Sequence, residues 1–217
     1  MLNILALGGY LGLLVYTFLL LKKSRSELRA ITQFRNYSRE ITTASLLAAL
    51  AALLHAAPVY LPLVGMALSP LSSIPIIIGV LLFADGALAM FLAAALLLFF
   101  INVEEAMIFS LATGPLGLAT ALAAIPNIPL WKKIAIPTVL LTCGILLLAF
   151  LVGVPGIQSL IGTFTLFGLA LILAFSLLYS LLFMGLARLS HRRLLSFFFA
   201  RDHDEETLKP EAEPVQK

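Results

Sequence analysis

A chain of 217 residues with 61% apolar and only 12% charged side chains is not an ordinary water-soluble domain, which carries nearer half apolar and a quarter charged residues. No nucleic-acid partner is expected. The single cysteine, Cys143, rules out an intrachain disulfide and a Cys-based metal centre, and no cofactor or metal is expected.

The apolar runs are continuous rather than alternating, which predicts an all-α polytopic transmembrane helical bundle rather than a barrel. Residues 1–21 form the first apolar run, free of charge until Lys22-Lys23. A signal peptide carries its positive charge before the apolar run, so this one reads as an N-terminal membrane anchor with its N-terminus outside. Gly8, Gly9 and Gly12 are candidates for close helix packing there. Residues 22–40 hold Lys22, Lys23, Arg25, Arg29, Arg35 and Arg39 and read as a basic segment at the membrane surface.

The bundle is expected over 41–188. Its first helix, 41–57, is roughly 26 Å long at the standard rise, just enough to span. Ala44, Ala48, Ala52 and Ala56 recur every four residues along one face. In lipid such small residues mark where another backbone approaches, either within the chain or on another membrane subunit. The Pro58–Gly65 stretch is expected to leave regular helix because each proline removes a donor and restricts its predecessor. Further spans follow over 66–84, 87–101, 106–125, 134–153 and 158–187. Asp85-Gly86 marks a turn, and Thr113-Gly114-Pro115 a kink inside the fourth bundle span. Pro137 is expected in a first helical turn. Beyond the bundle, 189–217 reads as an amphipathic segment to Arg201 and then an acidic tail, expected to be disordered.

All fourteen Lys and Arg residues fall in the segments 22–40, 126–133 and 188–217. The positive-inside rule then predicts seven spans with the N-terminus outside and the C-terminus cytoplasmic.

Few polar groups lie at membrane depth. His55, Asn102, Glu104, Glu105 and Gln158 all fall near the expected outer face. With Tyr60 they form a candidate ligand site. Met66, Phe100 and Phe109 are candidate apolar lining. Two carboxylates without a basic side chain favour a neutral or cationic ligand. HExxH, GxSxG and phosphate-loop motifs are absent, so no catalytic residues are assigned and no enzyme is expected.

From about residue 40 to 190 the chain resembles the substrate-binding S components of energy-coupling-factor (ECF) transporters. The likeness rests on the Ala44/Ala48/Ala52 stripe and the Pro58-Val59-Tyr60-Leu61-Pro62-Leu63-Val64-Gly65 segment. It also rests on the Asp85-Gly86 turn, the Thr113-Gly114-Pro115-Leu116-Gly117 break and the six spans. It implies a six-helix S-component-like core, here with one extra N-terminal helix, that captures a vitamin-like small molecule outside and delivers it inward with a T subunit and ATPases. It implies that Ala44, Ala48 and Ala52 dock the T subunit. The second reading is a membrane scaffold of cell-envelope assembly resembling rod-shape-determining membrane protein D. The third is a membrane enzyme.

Overall fold

The computed structural model describes residues 2–24, 37–83, 86–153 and 166–207. Among these no strand occurs, and the chain is an all-α bundle. Helix α1 is Leu2–Lys23 and α2 is Tyr37–Tyr60. Helix α3, Pro62–Leu68, runs through a 3-10 turn at Ser69–Ser72 into α4, Ser73–Leu82. Helix α5 is Ala87–Ile101. Helix α6, Val103–Ile108, continues through a π turn at Phe109–Thr113 into α7, Gly114–Thr120. Helix α8, Leu130–Leu147, is followed by a second π turn, and α9 is Leu166–Thr207.

Six helical stretches are long and apolar enough to cross a membrane: 5–23, 40–60, 62–82, 103–124, 130–150 and 166–194. Helix α5, with 15 residues, is a shorter apolar helix. The chain is thus a multi-pass membrane protein. Large apolar side chains cover its rim, Leu178 at 71% and Leu46 at 69% exposure among them. Leu gains nothing by leaving acyl tails, so this rim is what a lipid-facing surface requires.

Two backbone breaks form as expected and one does not. The Thr113-Gly114-Pro115 kink is the π turn, placed where Pro115 lacks the amide hydrogen an α-helix would use. Asn102 ends α5 and caps α6, its side chain accepting from the Glu104 and Glu105 amides. The Pro58–Gly65 stretch, however, stays helical apart from Leu61. Pro58 sits in the last turn of α2, where it forfeits one bond to the preceding turn but leaves the helix before it intact, and Pro62 occupies the favoured first turn of α3, where an amide hydrogen has no intrahelical acceptor. The third span therefore starts at Pro62 rather than 66. Gly65 packs its bare backbone on Ala57 and Pro58, closing the α2–α3 corner where any Cβ would collide.

Pro137 lies two turns inside α8 rather than in a first turn, because the helix begins already at Leu130 after Pro129. Helix α9 runs unbroken to Thr207, so 189–201 is no separate segment and 202–207 is helical. No proline interrupts the run before Pro210. Gln158 and Asp85 lie outside the described residues.

Helix α7 is the axis: Gly114 to Ala123 are buried without interruption. Helices α4 and α8 pack on it, and α2 packs on α5 and on the α3–α4 stretch. The alanine stripe faces these neighbours. Ala48 is 1% exposed, Ala52 2% and Ala56 1%. Docking of a T subunit on Ala48 and Ala52 is therefore corrected: these positions seal the bundle itself, and only Ala44 is partly exposed. Ala52→Leu should destabilise the isolated protein by about 1–3 kcal/mol, the usual cost of overpacking. Leu53→Ala, at a side chain 67% exposed, should change little. Thermal unfolding in detergent reads both.

Helix α1 is not a free anchor. Tyr10, Thr17 and Leu21 are buried along the face that packs on α8 and α7. The Gly8, Gly9 and Gly12 positions have nothing within 4 Å of where a Cβ would stand, so close packing does not occur through them.

Candidate functional site

The α2–α3 corner brings the end of α2 against the 3-10 turn. The α6–π–α7 stretch closes the third side. His55, one turn before Pro58, lies where these three meet and is 0% exposed. The fold thus holds an imidazole at membrane depth, where an ionisable group needs partners.

Both ring nitrogens face polar groups. Nδ1 lies 3.0 Å from Ser69 Oγ, 3.2 Å from Ser72 Oγ and 3.4 Å from Thr113 Oγ1. Nε2 lies 3.4 Å from Glu105 Oε2. That contact is close enough for an ion pair but is not aligned as a hydrogen bond, and Nε2 has no hydrogen-bond partner. A neutral imidazole with its hydrogen on Nε2 fits both sides. A hydroxyl then donates to Nδ1, and the Nε2 hydrogen faces the carboxylate. Phe109 lies edge-on to the His55 ring, with centroids 5.3 Å apart, and stacks in turn on Phe91. Ser73 Oγ donates to Thr113 O at 2.8 Å, fixing the head of α4 to the π turn.

Of the residues expected at the site, the structure joins His55 and Glu105. It separates the others. Tyr60 is 69% exposed at the end of α2, on a different face from His55. Glu104 is exposed, and the Asn102 carboxamide oxygen is occupied by capping two backbone amides. The expected apolar lining divides likewise. Phe109 is buried on the imidazole, whereas Met66 is 71% and Phe100 79% exposed and both face away from the interior.

Nothing in the spacing of Ser69, Ser72 and Thr113 connects them with His55. They stand 14, 17 and 58 residues from it. The available signal was the serine cluster Ser69, Ser72 and Ser73 around Pro70, together with a threonine in an apolar span.

Ser69, His55 and Glu105 stand in the order of nucleophile, base and carboxylate. Acyl transfer also needs backbone donors aimed at an oxyanion. Here the Ser69 amide is bonded to Gly65 O, and Nδ1 is shared among three hydroxyls. The arrangement suits presenting the partly exposed Glu105 carboxylate, backed by the buried imidazole, to a hydrogen-bonding group. Among the described residues no group of three or more His, Cys, Asp or Glu could hold a metal ion.

No protein-family model matches this chain, and neither a curated protein nor a solved structure is significantly similar to it.

Proposed function

We propose that the chain is the substrate-binding membrane subunit of an ECF-type importer in a bacterial plasma membrane, with its N-terminus outside and its C-terminus cytoplasmic. It captures a small vitamin-like molecule at the outer end and delivers it inward with a T subunit and ATPases. The observation that carries this reading is the His55–Glu105 cluster, a set of polar groups gathered near one end of an otherwise apolar bundle. The orientation follows from charge: Lys22, Lys23, Lys132, Lys133 and Arg188 flank the ends opposite that cluster. The irregular backbone at Ser69–Ser72 and Phe109–Thr113 surrounds the cluster, as non-helical backbone at membrane depth does around binding sites.

The chemistry of the site narrows the ligand. No Lys or Arg occurs between Arg39 and Lys132 or between Lys133 and Arg188. A half-buried carboxylate therefore meets no cation of the protein's own in this half of the bundle, and a ligand bearing N–H donors or a positive charge complements it.

Purification of the tagged chain from its native membranes tests the reading. A T subunit and ATPases are expected to accompany it, together with a small molecule released on denaturation and identified by mass. Recovery of a cell-wall assembly complex instead would replace the transporter by the scaffold. Glu105→Gln should weaken retention of that molecule by about 1–3 kcal/mol, the cost of losing a charge-assisted partner. Glu104→Gln, at an exposed side chain, should leave it unchanged.

A further inference from the structure

The N-terminal helix reaches the site's supporting backbone. Tyr10, 2% exposed, donates its hydroxyl hydrogen to Leu111 O at 2.8 Å. Leu111 lies inside the π turn that carries Thr113. In an α-helix the Leu111 carbonyl would accept from the amide four residues on, and that residue is Pro115, which has none. The Tyr10 hydroxyl arrives where the proline leaves an acceptor short. Two residues further along the same turn, Thr113 directs Oγ1 at His55 Nδ1 and offers its carbonyl to Ser73.

We propose that Tyr10 is a positioning residue: its hydroxyl holds the π turn open at the carbonyl that Pro115 leaves without a donor, and so keeps Thr113 on the His55 imidazole. The extra N-terminal span thereby becomes part of the binding site's scaffold rather than an anchor beside it. The inference concerns the geometry around His55 and does not depend on whether an ECF-type partner binds.

The chain carries three histidines, so side-chain nitrogen NMR of histidine-labelled, full-length protein in detergent resolves His55, assigned by its loss in His55→Gln. Tyr10→Phe keeps the ring and removes only the hydroxyl. It should move the His55 nitrogen signals and lower the unfolding temperature by about 2–4 °C. Pro115→Ala restores the missing amide, so adding Tyr10→Phe to it should move neither reading further. Unchanged His55 signals in Tyr10→Phe overturn the proposal whatever the stability does, because a purely structural tyrosine would shift stability alone. An equal shift of the signals in the Pro115→Ala background overturns it as well, because the orphaned carbonyl would not then be the reason for the tyrosine.

Discussion

Gly144→Val should abolish the folded protein, and Gly144→Ala should cost a net of about 2 kcal/mol. Gly144 lies in α8 with its bare backbone against the carbonyl of Leu111, and any Cβ there would collide with that oxygen. The obstacle is backbone held from two directions. Tyr10 bonds the same oxygen, and the Ala112 Cα lies 3.5 Å from the same Cβ position. A flexible side chain could swing away, but a carbonyl inside a π turn cannot without moving Thr113. The opposing effect is helix propensity, by which alanine exceeds glycine by about 1 kcal/mol in a helix interior. Overpacking of about 3 kcal/mol outweighs it. Gly8→Ala is the control. Nothing lies within 4 Å of its Cβ position, so propensity acts alone and stability should rise by up to about 1 kcal/mol. Detergent-solubilised variants heated in steps and assayed for monodispersity give the order. Gly144→Ala as stable as the native chain would show that α8 does not approach the π turn this closely.

Much of this architecture is legible in the sequence because lipid imposes a length rule. Among the described residues, each apolar run between charged or proline-rich breaks is helical, and the expected kink at Thr113-Gly114-Pro115 is the π turn. What the residues leave ambiguous is which face of a helix meets lipid and which meets protein. In water, burial sorts polar from apolar side chains. In lipid, Leu46 on the rim and Leu98 in the core are chemically alike. That is why Met66 and Phe100 read equally well as pocket lining, although both turn away from the interior. The alanine stripe carried the same ambiguity, since small residues admit a neighbour without saying whose it is. Proline misled for a different reason. Pro58 falls in the last turn of one helix, where it costs one bond without breaking the turns before it, and Pro62 in the first turn of the next, where an amide hydrogen has no intrahelical acceptor. His55 and Glu105 were legible because an ionisable side chain in an apolar run needs a partner. Their hydroxyl partners were not, because Ser69, Ser72 and Thr113 reach the ring only through the folding back of α3 and the bend of the π turn.

His55→Phe should weaken ligand capture at least about tenfold while leaving most of the bundle's stability, and His55→Ala should lose both. The ring has two duties that these variants separate. As a body, it is wholly buried and stands edge-on to Phe109 with centroids 5.3 Å apart. Removing it leaves a cavity, and truncating a buried side chain of this size costs about 3 kcal/mol. Phenylalanine refills the volume and keeps the aromatic contact. As a polar hub, the ring links Glu105 on one side to Ser69, Ser72 and Thr113 on the other. Phenylalanine supplies none of that. The hydroxyls can turn back to carbonyls of their own helical turns, a local alternative open to Ser and Thr, so their loss adds little. Glu105 is 17% exposed in its side chain and keeps part of its hydration. Neither compensation restores the Nε2 hydrogen beside the carboxylate, so a ligand held by Glu105 loses the group that positions that carboxylate. Retention of the co-purifying small molecule should fall at least about tenfold in His55→Phe, the equivalent of one charge-assisted hydrogen bond. His55→Gln, which keeps a polar reach but not the ring, should retain more ligand than His55→Phe at a lower unfolding temperature. If His55→Phe holds the ligand as well as the native chain does, the imidazole is a packing element and the site lies elsewhere.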